Sequence, residues 1–438
     1  MASPASTTRN KTGPPKISSG RESYRSWPGH VALWTAFGTT LANEVVRHFA
    51  EYVVAPPRPD YPLAPASLWL VAVVAACCGA VALTDRRPGL IRELLAAGLG
   101  TLGLLSAVVA AVTPNTPAPP GTIPSDPVSW LLLGVAAAGL VLAVATLPGE
   151  VLLRTLFAAG LLVAALSVLA VVIRLWAIPS EAQDPVRIRP GTLPAQGIFM
   201  NINILGMVAA AAFVVQVAYL RVAWRRLAAP VRWLLVAVGP VTSLVLVWTS
   251  SSRTAIGASL AAVAIGFLLP WRRWRGWWPA TVFAVGCAAA VLMPIYVAVS
   301  LGYKFGGRRD LWPLVFTEIA ENPVLGRGFG NINGEQHAHN QLLETWLQAG
   351  LLGLLVLLAL ALLGAITAVR IAPWDGQVAV AVVTFSALLW GTEIVSPWTV
   401  TRTLPLPLLF SLLGLLAGIG LARDRGWGDG HRGSGTVR

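Results

Sequence analysis

The sequence predicts an all-α, polytopic membrane protein of about twelve transmembrane helices with one long external loop. Of its 438 residues, 55% are apolar types and only 12% are charged, roughly half the ~25% usual in a soluble domain. Mean hydropathy is +0.69. Apolar runs close to the ~20 residues that cross a bilayer recur along the chain, divided by Pro, Gly or Arg. A soluble multidomain fold is excluded, because so few charged residues cannot coat several separate surfaces. The net charge of +13 does not indicate a nucleic-acid partner. The basic residues sit in short clusters between apolar runs and in the tails, where they act as topology signals.

Residues 1–29 are rich in Ser, Pro, Arg and Lys and have no apolar stretch, so they read as a disordered cytoplasmic tail without a cleavable signal peptide. The transmembrane domain is expected over 30–422. Its spans fall near 31–54, 67–84, 91–113, 128–147, 151–177, 198–220, 231–250, 254–270, 279–300, 339–369, 377–396 and 403–421. A second cytoplasmic tail takes 423–438, and an even number of spans places both termini on one side.

Basic and non-basic connections alternate as the positive-inside rule requires. The tail with Arg9, Lys11, Lys16, Arg21 and Arg25 is expected inside, with Asp85–Arg92, Arg154, Arg221–Arg232, Trp271–Trp278, Arg370–Gly376 and the end with Arg423, Arg425 and Arg432. Thr113–Pro127, which has no basic residue, is expected outside. The exception is the connection 301–338, which carries Lys304, Arg308, Arg309, Asp310, Glu318, Glu321, Arg327, Glu335 and His337, with His339 at its edge. A long external loop escapes the charge rule and is where functional irregular structure concentrates. Leu311, Leu314, Val315 and Ile319 predict a short helix on the membrane surface, ended by Asn322 and Pro323.

Polar residues gather at the external ends of spans in four patches: 196–206 (QGIFMNINILG), 249–253 (TSSSR), 306–331 (GGRRDLW and NPVLGRGFGN) and 337–353 (HAHNQLLETWLQAGLLG). Arginine at the edge of hydrocarbon is costly unless it pairs, snorkels or meets an anion. Arg253, Arg308, Arg309 and Arg327 share one face, near only Glu335, Glu344 and Glu393 among later acids. Guanidinium groups that outnumber carboxylates suit a pyrophosphate, which they grip bidentately.

A histidine kept neutral beside arginines suits a general base, and Asn340 and Gln341 suit sugar hydroxyls. A metal is not expected, since His337 and His339 have no third ligand at helical spacing. Cys77, Cys78 and Cys287 lie in apolar runs without metal or disulfide spacing. Gly326, Gly328 and Gly330 lack the strand and helix context of a dinucleotide loop, and read instead as a tight turn with amides facing an anion. Glu44, Arg47, His48 and Glu51 share one helix face, as an internal ion-pair cluster or part of an acceptor site.

In their order and membrane depth, these patches resemble the O-antigen ligase and O-antigen polymerase superfamily of bacterial cell-envelope glycan enzymes. GRRDLWPLVFTEIAENPVLGRGFGN and HAHNQLLETWLQAGLLG are the strongest matches, with SSSRTAIGA similar to the serine–arginine motif and FMNINILGM to the asparagine motif. The likeness covers 196–353; the first 190 residues are similar in topology alone. It implies a C-type membrane glycosyltransferase of the plasma membrane, acting on the external face without metal, cofactor or nucleotide sugar. The implied partners are a glycan donor on undecaprenyl pyrophosphate, an acceptor hydroxyl on a glycan or other envelope molecule, and membrane lipids. Transfer would invert the anomeric carbon.

By the same resemblance the catalytic set is His339, Arg308 and Arg253, with Arg308 preferred to Arg309 because it follows the glycine and stands four before Trp312. Arg309, Arg327, Asn203, Asn340 and Glu344 complete the expected substrate-binding set. The arginines would stabilise the pyrophosphate leaving group, and His339 would take the acceptor proton. A polytopic transporter or lipid flippase is the competing class, disfavoured because polarity gathers at one face rather than at the midplane.

Overall fold

The computed structural model describes residues 19–53, 63–84, 89–112, 127–177, 197–199, 202–273, 277–302, 308–327, 338–391 and 406–427. Its helices are α1 (Ser19–Val53), α2 (Leu63–Thr84), α3 (Leu90–Val112), α4 (Pro127–Val144), α5 (Gly149–Ala177), α6 (Ile202–Ala223) and α7 (Ala229–Val236), followed by α8 (Thr242–Thr249), α9 (Arg253–Val263), α10 (Trp277–Leu301), α11 (Arg308–Glu321), α12 (Gln341–Ile371), α13 (Gln377–Trp390) and α14 (Leu406–Asp424). The described residues contain no strand. The protein is an all-α polytopic membrane protein.

Each of the twelve apolar runs falls on a helix. Among the described residues nine helices, counting α7 and α8 as one, are long and apolar enough to cross a bilayer. The runs at 254–270 and 377–396 form shorter apolar helices, and α1 covers the first run. That helix reaches back to Ser19, through Pro28, into the segment expected to be tail. In it Glu44 is buried, whereas the side chains of Arg47, His48 and Glu51 lie outside the described residues.

Two wide turns interrupt the short spans. Ala237–Val241 joins α7 to α8 as a π-helical turn around Pro240, which has no N–H and crowds the carbonyl four residues before it. Thr242 Oγ1 donates to the loosened Ala237 carbonyl at 3.1 Å. Ala264–Leu268 closes α9 in the same way before Pro270.

Helix packing follows side-chain size. α4 lies against α2 and α3 at glycine pairs: a Cβ on Gly103 would stand 2.5 Å from the Gly134 Cα, and one on Gly79 3.1 Å from the Gly139 Cα. Such small-residue contacts let backbones approach where lipid supplies no hydrophobic drive between helices. α14 forms the centre, with 83% of its apolar window buried, while α10 is peripheral at 11%. Trp277, Trp278, Val282, Leu292 and Met293 on α10 are exposed, which in water would form a large sticky patch and in a bilayer is the lipid face.

The two ends of the bundle differ in chemistry. At one end Arg226 Nη1 meets Glu150 Oε1 at 2.6 Å, Arg92 Nη1 donates to the Ala145 carbonyl at 2.6 Å, and Arg425 Nε meets Asp375 Oδ2 at 3.0 Å. The turns at Trp271–Arg273 and Ala372–Trp374 also meet there. Because α9 runs toward this end and α13 away from it, Arg253 and Gly391 both lie at the opposite end, together with α11 and the start of α12.

Candidate functional site

The polar end is organised by α11, the turn that follows it, and the first turns of α12. α11 buries Leu311, Trp312, Val315, Glu318 and Ile319 against Ala298 of α10 and against Ala338, Leu343 and Leu347. Arg308 is half-buried, one helical turn before Trp312 and therefore on the same side of α11. Arg309 is exposed and lies over Gly302, with its Cζ 3.3 Å from where a Cβ would stand. The expected helix is present, and it ends as anticipated: Asn322 N–H returns to the Ile319 carbonyl at 3.2 Å and Gly326 N–H to the Asn322 carbonyl at 3.0 Å.

That turn is threaded into a break in α12. At Gly350 the helix takes φ 64° and ψ −168°, so the bond that would join Leu351 N–H to the Leu347 carbonyl is replaced by two others. Leu351 N–H donates to the Pro323 carbonyl at 3.0 Å, and Arg327 N–H donates to the Leu347 carbonyl at 2.7 Å. Trp346 Nε1 adds a third bond to the Pro323 carbonyl at 3.0 Å. The NPVLGRG and QAGLLG stretches are thus one interlocked backbone unit.

This corrects the expectation that the glycine-rich turn turns its amides toward an anion. The Gly326 amide is spent on the Asn322 carbonyl of its own turn and the Arg327 amide on the Leu347 carbonyl that the kink in α12 leaves unpaired. Gly328 and Gly330 lie outside the described residues. Arg327 also forms an ion pair with the buried Glu318 of α11 while its side chain stays partly exposed, so its charge ties the turn to α11.

Just before α12, Ala338 is fully buried. Its N–H donates to Glu344 Oε2 at 2.7 Å, and its carbonyl accepts from Trp312 Nε1 at 2.6 Å. His339 follows with φ 50° and is half-buried. Asn340 then caps the helix: its Oδ1 accepts from Leu342 N–H at 3.0 Å and Leu343 N–H at 3.1 Å, and its Nδ2 donates to the Gly391 carbonyl at 3.0 Å.

Two expected substrate contacts are therefore placed otherwise. Asn340 is fully buried and serves as N-cap, the role an asparagine before an apolar helix fills best. Glu344 is buried and has Oε1 bonded to Gln348 Nε2 and Oε2 to Ala338, so both oxygens face the protein. Gln341 is buried too, and its Nε2 donates to Thr345 Oγ1 at 3.2 Å.

The serine–arginine and asparagine motifs meet on the neighbouring helices. Ser250 and Ser252 pack on Gly206 of α6, where a Cβ would stand 2.6 Å from each serine. Ser250 Oγ donates to the Val247 carbonyl at 2.7 Å, and Ser251 turns the chain at φ 55°. Arg253 then opens α9 with its side chain exposed. A guanidinium beside the unpaired N–H groups of a helix start favours an anion. Asn203, in the first turn of α6, is half-buried at the same end. Asn201 and Met200 of that motif, Glu335 and His337 of the loop, and Glu393 lie outside the described residues.

A cavity of about 790 Å³ runs beside α12, lined by α3, α10, α12, α13 and α14. It is lined by Phe316 and, along α12, from Gln341, two residues after His339, to Ala365, a run of about 36 Å at 1.5 Å per residue for an unbroken helix and shorter across the break at Gly350. Its lining is almost wholly apolar, with Gln341, Ser386 and Ser411 the aliphatic polar exceptions. Neither the cavity nor the role of Trp312 is read from the sequence, since both depend on which helices become neighbours.

The fold and site define a membrane protein whose polar motifs stand at one end of a helical bundle, beside an apolar slot. Residues 241–358 match the family described as O-Antigen ligase, which bears out the resemblance carried by the serine–arginine, GRRDLW, NPVLGRG and HN motifs. The match covers about a quarter of the chain, and over that stretch the chain is similar to the O-antigen ligase family. No curated protein matches the chain.

Proposed function

We propose that the protein transfers an oligosaccharide from undecaprenyl pyrophosphate to an acceptor hydroxyl on the external face of the plasma membrane. The observation that carries this reading is the junction of the apolar cavity with the end of the bundle where Arg308 and His339 stand. A polyprenyl tail needs a long slot without polar groups, and a cavity on the order of 30 Å matches the ~30 Å hydrocarbon thickness. The pyrophosphate then lies at the mouth, within the influence of Arg308 and of Arg253 at the start of α9.

Cleavage of the glycosyl–pyrophosphate bond leaves a negative charge on the departing phosphate, which preorganised guanidinium groups stabilise. His339 accepts the proton of the attacking hydroxyl as the new glycosidic bond forms, and attack opposite the leaving group inverts the anomeric carbon. The motif resemblance supplies these roles; the side of α11 on which Arg308 lies favours it over Arg309 as the pyrophosphate contact. The basic end of the bundle, with both termini, faces the cytoplasm under the positive-inside rule.

The test is glycan transfer by purified protein in lipid, with an undecaprenyl pyrophosphate oligosaccharide as donor. The wild type is expected to transfer, and Arg308→Ala and His339→Ala to lose at least ~100-fold in rate while remaining folded. A ladder on the lipid carrier identifies a polymerase, and one addition to a different acceptor a ligase. Wild-type rates in both variants overturn the reading, as does movement of the lipid carrier across the bilayer with no transfer.

A further inference from the structure

We infer that Glu344 and Trp312 are positioning residues that hold His339 in its working conformation by pinning the peptide groups of Ala338 between them. The inference rests on the reading of His339 as the proton acceptor and deepens it.

A non-glycine residue at φ 50° is held against a steric preference and persists where its surroundings over-determine it. Those surroundings are identifiable here. On the N-terminal side, both hydrogen-bonding groups of the buried Ala338 backbone are taken by buried side chains from two different helices: Glu344 Oε2 accepts its N–H at 2.7 Å, and Trp312 Nε1 donates to its carbonyl at 2.6 Å. On the C-terminal side, Asn340 is fixed by its cap bonds and by its link to the Gly391 carbonyl at 3.0 Å. His339 is the residue between these anchors.

Glu344 cannot fill this role alone, because a single carboxylate oxygen on a peptide N–H leaves rotation open. Gln348 removes that freedom by donating to the other oxygen. Trp312 couples the next peptide, which joins Ala338 to His339, to α11, one turn from Arg308. The anchor therefore sets the distance between the histidine and the arginine as well as the orientation of the imidazole. Neither Glu344 oxygen is directed to a substrate, so its loss acts through His339.

Three variants in the full-length protein test this. Glu344→Gln keeps the shape but replaces the charged acceptor with a neutral amide that pairs with Gln348 only if the Gln348 amide flips, and is expected to lower kcat at least about tenfold, within the ~100-fold that a misplacement of 1 Å costs, with donor KM unchanged. Trp312→Phe, which keeps a ring and loses the donor, is expected to give the same split. The exchange Glu344→Gln with Gln348→Glu restores one carboxylate and one amide in the pair, and is expected to recover most of the lost kcat.

His339→Ala is run beside them. If it is inactive while Glu344→Gln and Trp312→Phe both turn over at the wild-type rate, the positioning inference is wrong and the reading of His339 stands. If His339→Ala is active, the reading itself is wrong. Should Glu344→Gln fail to fold, Trp312→Phe decides: a lowered kcat at unchanged KM supports the inference, and an unchanged kcat or a raised KM alone overturns it.

Discussion

At Gly350 the backbone takes φ 64° and ψ −168°, a region essentially closed to residues with a Cβ. A Cβ there would also stand 2.0 Å from the Val324 carbonyl oxygen, and that oxygen belongs to the interlocked turn, so it has nowhere to move. Gly350→Ala is therefore expected to cost more than the ~1–3 kcal/mol of backbone strain alone, seen as a large fall in Tm in detergent and as loss of transfer. Gly286 is the contrast. It lies inside α10 with open space where a Cβ would go, so Gly286→Ala gains helix propensity, up to about 1 kcal/mol, and is expected to hold or raise Tm. Equal falls in both variants would mean that the interlock does not set the tolerance at Gly350.

The start of α12 shows the same economy at the scale of an element. Asn340 gives its oxygen to the helix and its amide to the end of α13. Asn340→Ala removes a cap worth about 1 kcal/mol and strips the buried Gly391 carbonyl of its donor, for roughly another 1–3 kcal/mol. Asn340→Asp keeps the cap oxygen and loses only the amide, so its Tm is expected to fall between those of wild type and Asn340→Ala. An aspartate variant no more stable than alanine would show that the cap contributes nothing. An asparagine before an apolar run is legible in sequence as a cap, yet here the neighbouring histidine and arginines suggested sugar binding. The spans were legible because length and apolarity are local signals. α11 was legible from its period, although Leu314 of the expected apolar face is exposed and Trp312, absent from that set, is buried: the side turned to the protein is set partly by Ala338, which the chain reaches only later. The Pro323–Leu351 and Arg327–Leu347 bonds were not legible at all, since no local pattern says which turn will fill a broken helix.

Across the whole molecule, charge sorts the two ends more than it holds them. The pairs Arg226–Glu150 and Arg425–Asp375 have side-chain exposures of 63%/38% and 64%/27%, and such exposed pairs each contribute only ~0–1 kcal/mol. Their value lies in orientation, because the positive-inside rule expects arginines held at one end of the spans to keep that end in the cytoplasm during insertion. Under the proposed orientation the end bearing Arg253, α11 and His339 lies outside, where the proposed lipid-linked donor would meet its acceptor. Single cysteines read this directly once Cys77, Cys78 and Cys287 are replaced by alanine. In intact cells, Arg309→Cys on the exposed side of α11 is expected to react with a membrane-impermeant maleimide, and Arg425→Cys to react only after permeabilisation. The reverse pattern would put the arginine-rich turns outside and His339 in the cytoplasm, and would overturn transfer on the external face while leaving the helical bundle and its interlocked turn as described.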